Sequence, residues 1–114
     1  MSAGAYDINC EQGATFRREL FIRDSAGDLI DLSGYTARMH VRRSVRSDST
    51  IVELTTENEY IIIDNPGKIV LTLPASITAE LSDEGIYDLE IQSDDGIVER
   101  VIEGKFNLKR EVTR

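Results

Sequence analysis

The run Asp83-Glu84-Gly85-Ile86-Tyr87-Asp88-Leu89-Glu90-Ile91 constrains the fold more than any other stretch of the chain. An extended backbone sends successive side chains to opposite faces. Tyr87, Leu89 and Ile91 therefore share one face, and Asp88, Glu90 and Gln92 share the other. This alternation describes a strand with one dry and one wet side, and Asp-Glu-Gly before it reads as a tight corner. Upstream, Pro74 to Leu81 predicts one or two helical turns crossing between sheets, with Ile77 and Leu81 as their buried stripe.

The same alternation recurs along the chain. Ala5 to Asn9 suits a short first strand, and Gln12-Gly13 a turn. In a strand from Ala14 to Arg23, the residues Ala14, Phe16, Leu20 and Ile22 share a face interrupted by Arg18, which predicts a strand end or a bulge there. Asp24 to Asp28 is a turn, Leu29 to Leu32 a short extended piece, and Ser33-Gly34 a break. Tyr35 to Arg43 alternates most cleanly: Tyr35, Ala37, Met39 and Val41 against a wet face of Thr36, Arg38, His40 and Arg42. Ser44 to Thr50 is a polar loop, expected to be mobile. Strands follow at Ile51–Leu54 and Tyr60–Asp64, then an Asn65-Pro66-Gly67 hairpin and a return strand Lys68–Leu73 with Ile69, Leu71 and Leu73 inward. Ser93-Asp94-Asp95-Gly96 is a second hairpin, leading to a last strand Ile97–Leu108 with Val98, Ile102, Phe106 and Leu108 inward. Gly104 within that strand predicts a bulge or a close backbone approach.

Seven to nine short strands separated by turns predict an all-β, immunoglobulin-like antiparallel sandwich as one domain over residues 1–114, with short flexible ends at about 1–4 and 111–114. The spacing Asp-x-Gly-x-Tyr-x-Leu resembles the corner that opens strand F of immunoglobulin-like domains, with Leu89 where a cysteine is usual. That resemblance implies an inward Tyr87 whose hydroxyl bonds back to upstream backbone.

At 114 residues the chain buries roughly 65% of its extended surface on folding, enough for one core without covalent staples. Cys10 is the single cysteine, which excludes an internal disulfide. No apolar run reaches the roughly 20 residues of a membrane span, and the first residues lack the pattern of a secretion signal. The net charge of -8 disfavours nucleic acid as a partner. Charge is uneven. Arg38, His40, Arg42, Arg43 and Arg46 form a basic run, whereas Asp83, Glu84, Asp88, Glu90, Asp94, Asp95, Glu99 and Glu103 face Arg100 alone. The runs read either as solvated faces or as complementary patches that meet head to tail between subunits.

The sequence offers no catalytic set. His40 has no positioned carboxylate in its own strand, and Cys10 has neither a second cysteine nor a neighbouring histidine to hold a metal. Asp24, Asp28, Asp94 and Asp95 sit where turns want Asp, without the alternate oxygen ligands of a calcium loop. The arginines lack the interleaved aromatics that grip single strands, and the absence of Trp leaves little surface for sugars. The expectation is a non-enzymatic chain without cofactor or metal, with Arg38, His40, Arg42, Arg43 and Arg46 as its interface candidates.

The order of motifs resembles small structural proteins of tailed bacteriophages. The pieces are Gln12 to Phe16, Asp31 to Arg42, the Pro-Gly hairpin, Tyr87 to Ile91, Asp95 to Arg100 and Glu111 to Arg114. The pattern is also similar to N-terminal domains of upper baseplate proteins. The resemblance implies a virion component of baseplate, tail-fibre base or neck, made in the bacterial cytoplasm. It would join other tail or neck proteins in a symmetric assembly, with no nucleic acid, membrane or small-molecule substrate as partner. A free-standing ligand- or glycan-binding module is the alternative.

Overall fold

The structure is a computed structural model that describes residues 4–112. Its centre is the pairing of the two most regularly alternating segments, β4 (Thr36–Arg42) and β8 (Gly85–Gln92). They run antiparallel in unbroken register from Thr36 opposite Gln92 to Arg42 opposite Ile86. Strand β9 (Val98–Lys109) flanks β8, and β5 (Val52–Thr55) flanks β4. The N-terminal β1 (Gly4–Ala5) and β2 (Ile8–Glu11) both lie along β9, completing a six-stranded sheet. A second sheet of order β3 (Phe16–Phe21), β7 (Lys68–Leu73), β6 (Ile61–Asp64) covers its inner face. Met39, Leu54, Leu89 and Phe106 from one layer and Ile61, Ile69, Leu71 and Leu73 from the other are fully buried. Burying each such side chain contributes about 1.5–3 kcal/mol, so the two-layer interior dominates the stability. The all-β sandwich expected from the sequence is the architecture observed.

Both hairpins form. Gly67 and Gly96 take positive φ of 63° and 91°, and the Asn65–Pro66 peptide is cis. Asn65 also explains the Asp31–Tyr35 segment. Its Oδ1 accepts the Leu32 amide at 2.7 Å, while its Nδ2 donates to Asp31 Oδ1 at 2.7 Å. Asp31 takes two further bonds from Ser33, through the hydroxyl at 2.6 Å and the amide at 3.0 Å. The Ser33 hydroxyl first, then Asn65, hold the Asp31 carboxyl down at about 2. The favourable contribution of this carboxylate is therefore full above about pH 4 and is lost as the pH falls through about 2.

Several local expectations are corrected. The sheet is not wholly antiparallel, because β1 and β2 pair with β9 in parallel. The bulge in β9 lies at Val101, not Gly104: Leu89 faces Ile102, Glu90 faces Arg100, and Val101 is the extra residue. The slip turns Val101 inward and leaves Val98 45% exposed, so Val98 is not part of the core. Gly104 instead serves a close approach. A Cβ there would strike the Tyr6 carbonyl, which lies over it.

Tyr87, opposite Gly104, donates its hydroxyl to that carbonyl. The tyrosine is thus inward and bonded to upstream backbone as expected, its acceptor being Tyr6 in the link between β1 and β2. Burial, then the neighbouring Tyr6 and Asp7, push its phenol above the usual range.

Arg18 is neither at a strand end nor at a bulge. It sits opposite Leu71 in an unbroken β3–β7 register. Its guanidinium stacks 4.9 Å from the Phe16 ring centroid and donates to Asn9 O at 2.6 Å and Arg17 O at 2.9 Å. One side chain so fastens the edge of β2 to the edge of β3.

The helical segment is the single turn α1 (Ala75–Thr78), whose fully buried residue is Thr78. The Thr78 hydroxyl donates to Ala14 O at 2.8 Å, which is why a polar residue is tolerated there; Leu81 is buried and Ile77 only half-buried. Of the expected flexible ends, residues 1–3 and 113–114 lie outside the described residues. Gly4 is paired with Ile102, and the Glu111 amide donates to Gln12 Oε1 at 2.9 Å.

Candidate interaction face

The outer face of the six-stranded sheet carries Arg38, His40, Arg42, Asp88, Glu90 and Arg100 around a concavity of about 590 Å3. Alternation aims Arg38, His40 and Arg42 of β4 outward, together with Ile86, Asp88 and Glu90 of β8. Register then sets Arg38, His40 and Arg100 each beside an acid, while Arg42, opposite Ile86, has none. Arg38 Nε lies 3.1 Å from Glu90 Oε1, and Arg100 Nε lies 3.1 Å from Asp88 Oδ2. Arg100 also approaches Glu90 at 3.8 Å, so Glu90 is shared between two arginines. Exposed pairs of this kind are worth about 0.2–1 kcal/mol each and screen with salt. The basic run and the acidic run thus meet within one chain, because β4 and β8 are neighbours.

His40 occupies the middle of this face. Its Nε2 is 3.2 Å from Glu53 Oε1 on β5, and its Nδ1 is 3.3 Å from Arg42 NH2. A guanidinium has no acceptor, so Nδ1 is the bare nitrogen and the Nε2 proton faces the carboxylate. The carboxylate absent from the histidine's own strand is supplied by the next one. Arg42 reaches on to Ser47 O at 3.0 Å and ties the 43–50 loop to the sheet. Ser44 and Val45 of that loop form one wall of the concavity, with Val45 85% exposed.

The five basic residues singled out in the sequence are not one cluster. Arg38, His40 and Arg42 share the sheet face. Arg43 turns away to a two-nitrogen contact with Asp83, at 3.0 Å through Nε. Arg46 is on the loop, and no hydrogen bond or ion pair reaches it among the described residues. Glu53, Ile86, Arg100 and Val45 complete the face and were not among the sequence candidates. Glu53 and Ile86 alternate with inward neighbours on their strands, but Arg100 shares the parity of Val98 and Ile102 and turns outward only through the slip at Val101, and Val45 lies on a loop; the strand order brings them together.

A second surface lies on the opposite side of the sandwich. Phe21 and Ile62 are 52% and 50% exposed on the outer face of the three-stranded sheet, around the Glu19–Lys68 pair at 2.6 Å. Lys68 first, then Arg17, lower the pKa of Glu19. Elsewhere the chemistry is structural. Cys10 is buried, and burial raises its thiol pKa against the opposing effect of Arg18. Asp24 Oδ1 accepts the amides of Ala26 and Asp28 at 2.9 and 3.0 Å, as a turn aspartate does. Among the described residues no three His, Cys, Asp or Glu side chains are grouped to hold a metal ion, and no helix is long and apolar enough to cross a membrane. No protein-family model matches the chain, and a search of curated proteins finds no match.

Proposed function

We propose that the chain is a non-enzymatic structural component of a tailed-phage virion, an adaptor in the tail, baseplate or neck that works through protein–protein contacts. The ordered motif resemblance across nearly the whole sequence supports the virion setting. The observation that carries the contact role is the distribution of exposed apolar side chains. Phe21 and Ile62 stand on one outer face, and Ile86, Ile97 and Val98 on strands or turns of the other sheet. A subunit held between neighbours needs apolar ground on more than one side, whereas a small-molecule site gathers it into one pocket. Three of the four tyrosines, stacking platforms for a glycan, are committed elsewhere: Tyr87 is buried and Tyr35 and Tyr60 are half-buried against the core, which leaves Tyr6 alone exposed.

The test is recovery of the chain from purified particles, followed by incorporation of variants. Phe21→Asp combined with Ile62→Asp is expected to lower incorporation tenfold or more while leaving the circular-dichroism melt of the free domain intact. Arg42→Glu with Arg43→Glu probes the other side in the same assay. A chain missing from particles, or an isolated monomer that binds glycans on an array, would overturn the adaptor reading.

A further inference from the structure

We propose that His40 is a proton-operated latch on the 43–50 loop, which walls the concavity of the outer sheet face. The proposal rests on a chain of contacts and is independent of the adaptor reading. Arg42 is the tether: it donates to Ser47 O at 3.0 Å and to His40 Nδ1 at 3.3 Å. The loop it holds is a small turn, closed by Ser47 N to Ser44 O at 3.1 Å and by the Ser44 amide to Ser47 Oγ at 3.3 Å. The contact between Arg42 and His40 exists only while Nδ1 is bare. A proton on Nδ1 sets an N–H against an N–H and one positive charge against another, so the contact becomes repulsive.

The other neighbours set which side of the latch moves. Glu53 across β5 accepts from Nε2 at 3.2 Å and holds the imidazole in place in either charge state. Asp88 lies opposite His40 on β8 but is engaged by Arg100 at 3.1 Å, and Arg38 on the histidine's own strand is engaged by Glu90 at 3.1 Å. The ring therefore stays and Arg42 leaves. It takes with it the bond to Ser47 O, and Ser44 and Val45 are freed from the rim of the concavity. Acidification opens this face and alkalinity closes it.

The experiment is amide hydrogen exchange on the full chain between about pH 5 and pH 8, expressed as protection factors so that the intrinsic pH dependence cancels. NMR titration of the single imidazole runs in parallel. Protection at Ser47 and Ser44 is expected to fall about tenfold on protonation, the factor carried by a hydrogen bond worth about 1.4 kcal/mol. The loop transition should share its midpoint with His40. His40→Gln, which can still accept from Arg42 and donate to Glu53, should keep the loop protected at every pH. Arg42→Gln should leave it unprotected at every pH while the β4–β8 amides stay protected. Loop protection that does not change with pH, that changes equally in His40→Gln, or that has a midpoint apart from the imidazole's, overturns the latch.

Discussion

On β4 and β8, Ala37, Met39, Val41, Tyr87, Leu89 and Ile91 point inward, and none is more than 4% exposed. Their alternates Arg38, His40, Arg42, Ile86, Asp88 and Glu90 point outward from the same backbone, into the concavity. Both faces are ordered, but for different reasons. The inner face is ordered by volume: its side chains meet a second sheet and have nowhere else to go. The outer face is ordered by register, which places Arg38 against Glu90 and His40 against Glu53 through strand pairing that the inner face has already fixed. Outer-face partners are thus a consequence of the core, and their own contribution to holding the strands together is small.

Truncation on adjacent residues separates the two contributions most sharply. Leu89→Ala removes a fully buried side chain facing Ile102 and Met39, and should cost about 2–5 kcal/mol in urea unfolding. Glu90→Ala, one residue later on the other face, should cost about 1 kcal/mol or less, because its partners Arg38 and Arg100 are exposed. Equal losses at the two positions would mean that the outer ion pairs help to define the sheet.

A smaller effect is expected where the inner face reaches its edge. The methyl of Gly104→Ala would meet the Tyr6 carbonyl, backbone rather than a flexible side chain, so the link between β1 and β2 must lift. The cost should be about 1–3 kcal/mol, accompanied by faster exchange of the Tyr6 amide, which is bonded to Glu103 O at 3.0 Å. Tyr87→Phe removes only the hydroxyl from the same contact and should cost about 1 kcal/mol, read as a shifted denaturant midpoint. If Gly104→Ala were as mild as Tyr87→Phe, the close approach would not be what demands glycine.

The same contrast explains what could be read from the sequence. Period-two patterning in Tyr35–Arg43 and Tyr87–Gln92 announced both strands and their inward residues, because burial acts on every residue of a strand at once. Asn65-Pro66-Gly67 and Ser93–Gly96 announced the hairpins through local backbone chemistry. Features that depend on one distant neighbour were not legible. Arg18 looked like a break in β3 because the acceptor that fixes it over the Phe16 ring, Asn9 O, belongs to another strand. Thr78 is absent from the expected buried stripe of Ile77 and Leu81 because its acceptor, Ala14 O, is 64 residues away. Val98 looked buried because a one-residue slip at Val101 leaves no mark in the pattern itself. The candidate face was half legible: outward parity identified Arg38, His40 and Arg42, but Glu53, Asp88 and Arg100 join them only through the strand order β9-β8-β4-β5.

The smallest expected effect is the one that most directly tests whether outer-face charges are consequences of register. In a double-mutant cycle on Arg38→Ala and Glu90→Ala, the coupling should be about 0.2–1 kcal/mol at low salt and should shrink toward zero in concentrated salt. Arg100 complicates the pair, since it also approaches Glu90 at 3.8 Å while bonding Asp88 at 3.1 Å. When Arg38 is removed, Arg100 can lean further onto Glu90, so the single Arg38→Ala variant should be milder than Glu90→Ala. Adding Arg100→Ala should restore the full penalty. A coupling that is large and indifferent to salt would instead mean that these side chains are desolvated by one another, making the outer face a second packed surface rather than a decorated one.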